Sequence, residues 1–303
     1  MSDMRVNLCG ITLKNPVITA SGTFGYGMEY QEFYPISRLG GISCKGTTLK
    51  ERPGNPAPRI AETPAGMLNS VGLQNPGVDT FLNTYLPWLK QQDTVVIANI
   101  AGNTLEDYAA MAERLSDSAV DMVELNISCP NVKQGGVNFG TSCDSVAEVT
   151  RLVKRHCAKP LMVKLTPNVT SIGDIAASAE AAGADMLSLI NTLTGMRIDI
   201  RTRRPILHNN TGGLSGPAVF PVAVRMVREV YKRVSVPIIG MGGISTWEDA
   251  VEMMIAGAAA VQVGTASFHD PYACIHIIEG MEEFAQRSGL HSITELTGTL
   301  QEW

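Results

Sequence analysis

Cys129, Lys45, Lys164 and the asparagines at 99, 126 and 191 are the residues of this chain whose types could do chemistry together. Cys129 lies in the run Glu124-Leu125-Asn126-Ile127-Ser128-Cys129-Pro130-Asn131. Asp121 to Ile127 reads as a buried strand, and Cys129-Pro130-Asn131 ends it. A glycine-bearing loop, Val132 to Gly140, follows, with Gly135-Gly136 as a hinge. A thiol at a strand end, between two asparagine amides, is placed to act on a bound ligand. A free cysteine is more often a small buried hydrophobe, so position alone leaves both roles open.

These residues need a scaffold, and the composition bounds it. The 303 residues suit two average domains or one large α/β barrel. Only 17% are charged, which permits a large apolar interior, and the formal charge of −5 offers no electrostatic footprint for nucleic acid. Met1 to Asn7 shows no apolar segment of the signal-peptide kind. No stretch approaches the roughly 18 uninterrupted apolar residues of a membrane span. The six cysteines (Cys9, Cys44, Cys129, Cys143, Cys157, Cys274) form no Cys-x-x-Cys pair, which speaks against a disulfide scaffold and against a zinc or iron–sulfur site in this chain. The five histidines lack ligand spacing. A cytoplasmic, reduced protein without a metal site, a membrane contact or a nucleic-acid partner is expected.

Short apolar runs recur along the chain, at 16–20, 41–45, 94–100, 122–127, 161–165, 185–190, 236–240 and 260–264. They are continuous and rich in β-branched residues, as strands buried on both faces should be. Helical patterns lie between them, at 105–118, 145–157, 172–182, 220–233 and 246–256, with Gly183 and Gly257 as stops. Eight strands alternating with helices predict an α/β fold, a single (β/α)8 TIM barrel over residues 1–303. Residues 4–15, alternating around Gly10, predict an N-terminal hairpin that caps the barrel bottom. Residues 46–93 and 191–219 are long insertions at strand C-terminal ends, where such barrels build their sites.

The strand ends are unusual as a set. The first ends Ala20-Ser21-Gly22-Thr23, the second Lys45-Gly46-Thr47-Thr48, the third carries Asn99, and the fourth Asn126 and then Cys129. Lys164 lies in the fifth, Asn191-Thr192 end the sixth, Gly242-Gly243 follow the seventh and Gly264-Thr265 the eighth. Such a mouth is polar but has no carboxylate pair and no histidine, which disfavours glycosidase, metal-hydrolase and histidine proton-shuttle chemistry. The late glycines fit the phosphate site of these barrels, and Ser245 to Asp249, opening the next helix, adds a favourable dipole. A buried lysine needs a reason: Lys45 or Lys164 could form a Schiff base or donate to a ring nitrogen and carbonyl. The asparagines supply donors and acceptors that suit an imide edge. The loop Asn69-Ser70-Val71-Gly72-Leu73-Gln74-Asn75-Pro76-Gly77 could clamp a small planar carboxylate, together with Asn131 and Asn191-Thr192, and is equally compatible with an ordinary turn.

Taken together, Ala20 to Gly27, Lys45 to Thr48, Asn69 to Asn75, Asn126 to Asn131 and the late glycines resemble the dihydroorotate dehydrogenase family across almost the whole chain. The cysteine at 129 resembles class 1, since the membrane-associated class uses serine, and Thr23-Phe24-Gly25-Tyr26-Gly27 is most similar to subclass 1B. The resemblance implies FMN, one per chain, held by Ser21, Gly22, Lys45, Gly46, Asn99, Asn126, Lys164 and Ile190, with Gly216, Gly242, Gly243, Gly264 and Thr265 around its phosphate and ribityl chain. It implies dihydroorotate contacts at Lys45, Asn69, Ser70, Val71, Gly72, Leu73, Asn126, Asn131, Asn191 and Thr192, with Cys129 as catalytic base. Oxidation to orotate, in pyrimidine biosynthesis, removes a C5 proton and transfers a C6 hydride to flavin N5. Electrons would pass to NAD through an electron-transfer subunit carrying FAD and a [2Fe–2S] cluster, in a heterotetramer built on a homodimer.

Other readings stay open at this point. A subclass 1A homodimer would pass electrons to fumarate without that subunit, and a tRNA dihydrouridine synthase is another FMN barrel with a cysteine, though this acidic chain lacks a basic RNA surface. A Schiff-base aldolase using Lys45 or Lys164 belongs to a different enzyme class. A non-catalytic barrel that binds a phosphorylated ligand is the last.

Overall fold

A computed structural model describes residues 2–127 and 139–303. Eight parallel strands close a barrel in chain order: β1 Val17–Thr19, β2 Gly41–Ser43, β3 Val95–Ile100, β4 Met122–Asn126, β5 Leu161–Lys164, β6 Met186–Leu189, β7 Ile238–Met241 and β8 Ala260–Val263, which returns to β1. Seven lie inside the apolar runs expected for them, and β7 continues one residue further, to Met241. Helices pack outside and side chains fill the inside, so both faces are covered and residues such as Val17, Ile42, Val123, Val163 and Val261 are wholly buried. Each such side chain contributes about 1.5–3 kcal/mol of burial, and that is why these runs show no polar alternation.

Helices Leu105–Ser116, Cys143–His156, Ile172–Ala181, Phe220–Tyr231 and Trp247–Ala256 follow β3 to β7, as the periodicity predicts. Thr104, Ser142, Ser171 and Thr246 each accept a backbone N–H from the first turn. The alternation fails at one connection, and one long helix falls outside the sequence reading. Between β1 and β2 there are only single 3-10 turns, Tyr30–Glu32 and Ile36–Arg38, where the Phe24 ring stacks on Tyr30 at 4.0 Å. After β8 comes a further helix, Ala273–Arg287, absent from the sequence-based set. Its interior Gly280 obscured it. A Cβ there would sit 2.2 Å from Trp247 Cδ1, so the glycine lets the two helices approach.

The N-terminal hairpin forms from Val6–Leu8 and Ile11–Leu13, paired Val6 to Leu13. Its Cys9 thiol donates to Asp185 O, just before β6, and Lys14 pairs with Asp93, just before β3. The hairpin therefore lies at the barrel's N-terminal end, as expected. At the opposite end the two long insertions meet. Ile60–Thr63 and Gly66–Asn69 come from the β2 insertion, Leu193–Gly195 and Gly212–Ser215 from the β6 insertion, and together they form one antiparallel sheet. Ala61, Leu68 and Leu207 give it a small core separate from the barrel's. No helix among the described residues is long and apolar enough to cross a membrane.

A two-core arrangement predicts separable stability. Leu68→Ala should cost about 2–5 kcal/mol within the small core and speed amide exchange across the mouth sheet, leaving the barrel strands protected. Uniform loss of protection in both regions would show that the two cores unfold as one.

Candidate active site

The C-terminal ends of the strands and the mouth sheet enclose one open cavity of about 1290 Å3, solvent at its mouth included. Ser21 and Gly22 reach it from β1, Lys45 and Gly46 from β2, and Asn99, Asn126 and Lys164 from β3, β4 and β5. Ile190, Asn191 and Thr192 line it from β6, Gly242 and Gly243 from β7, Gly264 and Thr265 from β8, and Gly216 from the end of the mouth sheet. The second insertion's partner loop contributes Asn69, Val71, Gly72 and Leu73. Residues scattered over most of the chain thus converge as the strand-end reading expected.

Ser70 does not line the cavity. It is wholly buried, and its carbonyl and hydroxyl oxygens accept from Asn55 Nδ2 at 3.0 Å, so it braces the loop from behind. Asn75 has a similar role, donating to Leu73 O at 2.7 Å and accepting from Gly77 N at 2.9 Å. Cys129, Asn131 and the Gly135-Gly136 hinge lie outside the described residues. None of the five described cysteines lines the cavity. Cys44, beside Lys45, is fully buried, and burial raises its thiol far above the ordinary range, so it stays protonated.

The electrostatics are one-sided. Lys45 is half-buried and Lys164 is only 5% exposed, with its Nζ donating to Ser21 Oγ at 3.4 Å. Among the described residues that line the cavity there is neither a carboxylate nor a histidine. Asn191 Nδ2 reaches Asn126 Oδ1 at 3.5 Å, and Tyr108 Oη donates to Asn126 O at 2.9 Å, so the amides are held in place. A cationic, amide-lined cleft of this kind favours an anionic ligand with an imide or carboxylate edge.

At the far wall, Gly242 and Gly243 take φ of +122° and +80°. A Cβ on Gly243 would lie 2.7 Å from Phe220 Cβ and 2.8 Å from Gly216 O, so only glycine lets the backbone turn here beside the cavity. The helix Trp247–Ala256 opens beside this turn with a capping box. Asp249 Oδ2 accepts from Ser245 N at 2.8 Å and Thr246 N at 3.0 Å, so the helix's own carboxylate takes up those donors. Thr265 stands beside the glycine turns at this wall, its hydroxyl donating to Ser215 Oγ at 2.8 Å.

Sequence reasoning missed the group beneath the cavity. Glu124, in β4, is wholly buried. Burial pushes its carboxyl up, but Lys164 and hydrogen bonds from Ser43, Asn99 and Ser188 outweigh that, and the net displacement is downward from 4.5. The signal was present: Ser43, Asn99, Glu124, Ser188 and Gln262 are polar residues inside runs otherwise fit for burial on both faces.

A carboxyl whose folded pKa lies below its unfolded value contributes stability above the unfolded value and loses it as pH falls through the folded one. Urea unfolding followed from neutral pH down past 4.5 should show this loss in the wild type and a flatter profile in Glu124→Gln. Parallel profiles would contradict an ionised Glu124.

Comparison with known proteins agrees with this geometry. The family model described as dihydroorotate dehydrogenase matches residues 3–285. A Petrotoga mobilis protein, "Dihydroorotate dehydrogenase B (NAD(+)), catalytic subunit", is 53% identical over 300 residues, covering 99% of this chain and 100% of the relative. Relatives with the same name from Alkaliphilus oremlandii (56% over 298 residues, 98% and 99% covered) and Bacteroides fragilis (53% over 302 residues, 99% and 100% covered) are similar throughout.

Proposed function

This chain belongs to the dihydroorotate dehydrogenase family, and from that premise we propose that it is the catalytic subunit of an NAD-linked enzyme that oxidises (S)-dihydroorotate to orotate in pyrimidine biosynthesis, with FMN bound at the barrel mouth. The observation that supports this most directly is the convergence of Lys45, Lys164 and four asparagines on one cavity whose described lining carries no carboxylate.

The residues present fit FMN. Asn99 Oδ1 and Gln262 Oε1 are buried acceptors with no partner among the described residues, and both side chains line the cavity. FMN carries donors for them, in its ring imide and its ribityl hydroxyls. Gly242, Gly243, Gly264 and Thr265 form a wall where backbone can approach a phosphate. On this reading Ser21, Gly22, Lys45, Gly46, Asn99, Asn126, Lys164, Ile190 and Gly216 hold the rest of the group. When bound, FMN supplies the two-electron acceptor that no protein side chain can provide.

The chain's own residues would do the remainder. Asn69, Val71, Gly72, Leu73, Asn126, Asn131, Asn191 and Thr192 orient the planar substrate, with Ser70 fixing its loop. Lys45 donates to the substrate and balances charge that develops on it as the C5 proton departs. Cys129 takes that proton as thiolate. A free thiol titrates near about 8.5 and needs electropositive surroundings to ionise at neutral pH, and the cations of the described cavity lining are Lys45 and Lys164. The mouth sheet restricts water above the site. Electrons then leave through a separate subunit bearing FAD and a [2Fe–2S] cluster, with a homodimer of this chain at the centre of the assembly, in the cytoplasm.

Cys129→Ser should slow anaerobic flavin reduction by dihydroorotate about 10²–10⁴-fold at neutral pH while FMN stays bound. Unchanged stopped-flow traces would remove Cys129 from the role of base. In steady state, NAD reduction should require the added FAD/iron–sulfur subunit. Efficient fumarate reduction by the isolated chain would favour the partner-free branch instead.

A further inference from the structure

Glu124 lies one layer below the cavity and belongs to no step described above. Its two carboxylate oxygens accept four hydrogen bonds from four other strands. Oε2 accepts from Ser43 Oγ at 2.6 Å and Asn99 Nδ2 at 2.7 Å. Oε1 accepts from Ser188 Oγ at 2.7 Å and Gln262 Nε2 at 3.1 Å. Only an ionised carboxylate can accept on both oxygens without offering a donor of its own.

This arrangement dictates which way two amides point. Asn99 and Gln262 are each 1% exposed. An acceptor-only neighbour draws their NH2 groups down towards it, so their carbonyl oxygens must face away. Those oxygens, Asn99 Oδ1 and Gln262 Oε1, are the ones left without a partner among the described residues. Both side chains line the cavity, and Gly46 leaves room at Asn99: a Cβ there would come within 2.9 Å of Oδ1. Two buried, unpaired acceptors are costly unless a ligand donates to them.

We propose that Glu124 is a positioning residue for the cofactor site: its fixed negative charge locks the Asn99 and Gln262 amides so that both present acceptors to donor groups of FMN, and it offsets the charge of Lys164 at the cavity floor. The inference rests on the FMN reading and adds to it two residues, Glu124 and Gln262, and a cause for the orientation of Asn99. Neutralising the carboxylate has a defined consequence. Glutamine at position 124 brings an NH2 group against Ser43 and Asn99 or against Ser188 and Gln262. A serine hydroxyl can rotate to accept. An amide can do so only by flipping, and one presented acceptor then becomes a donor.

The test is an equilibrium titration of flavin-stripped protein with FMN, followed by flavin fluorescence quenching, together with the midpoint potential of the bound flavin. Glu124→Gln should bind FMN about ten- to a hundredfold more weakly and shift the potential to more positive values, because a negative charge near the ring has gone. Gln262→Met retains the carboxylate and three of its four donors, fills a similar volume beside Met162 and removes one presented acceptor. It should weaken binding about tenfold with no shift in potential, a split that general loosening of the barrel would not produce. Glu124→Gln that folds and matches wild type in affinity and potential overturns the inference. If Glu124→Gln does not fold, wild-type affinity in Gln262→Met overturns it alone. Wild-type protein that takes up no FMN overturns the cofactor reading, and this inference with it.

Discussion

A single carboxylate inside the barrel constrains much of what lies above it. Glu124 collects donors from β2, β3, β6 and β8 while belonging to β4, so one side chain joins five of the barrel's strands. A lone ion at that depth would be prohibitively desolvated. Four hydrogen bonds and the nearby Lys164 make it tenable, and they also make it demanding: each donor must come from the correct register. Asn99 pairs across from Glu124 itself, and Asn126 across from Lys164. A slip of one residue between β3, β4 and β5 would turn these groups out of the barrel. Register and site are therefore one constraint.

Above that layer the chemistry is arranged by exclusion. No carboxylate among the described residues lines the cavity, so a ligand that enters meets Lys45 and Lys164 as the charged groups of the described lining. The two long insertions share a sheet that roofs the site, and their joint core of Ala61, Leu68 and Leu207 is small. The site thus lies between a large barrel core and a small, separately packed one. The glycine turn at Gly242 and Gly243 forms a further part of the cavity wall, where bulkier residues would clash with Ile190 and Phe220.

Much of this was legible in the sequence, for physical reasons. Strands buried on both faces must be continuous apolar runs, so all eight were visible, and the residues that end them identified Ser21, Lys45, Asn126 and Thr265 as neighbours across the mouth. Helices with capped starts, such as Leu105–Ser116, announced themselves, whereas Ala273–Arg287 was hidden by a glycine whose reason is the Trp247 ring packed on it. The mouth sheet was illegible because its strands are only three or four residues long and its two halves, one from each insertion, join through Gly213 paired with Asn69, far apart in the chain. Ser70 was legible as part of a motif but not as its brace, since only the fold shows Asn55 behind it. Glu124 was written plainly inside a strand and passed over, because a carboxylate amid apolar neighbours gains meaning only when its four donors are seen.

The account's central claim is that this mouth couples a bound flavin to an imide substrate. The most direct measurement is anaerobic addition of dihydroorotate to the purified protein while its visible absorbance is followed. The account expects a yellow protein that bleaches with one equivalent of dihydroorotate per chain, with orotate formed in equal amount. A colourless protein, or a yellow one that dihydroorotate leaves oxidised, would contradict it.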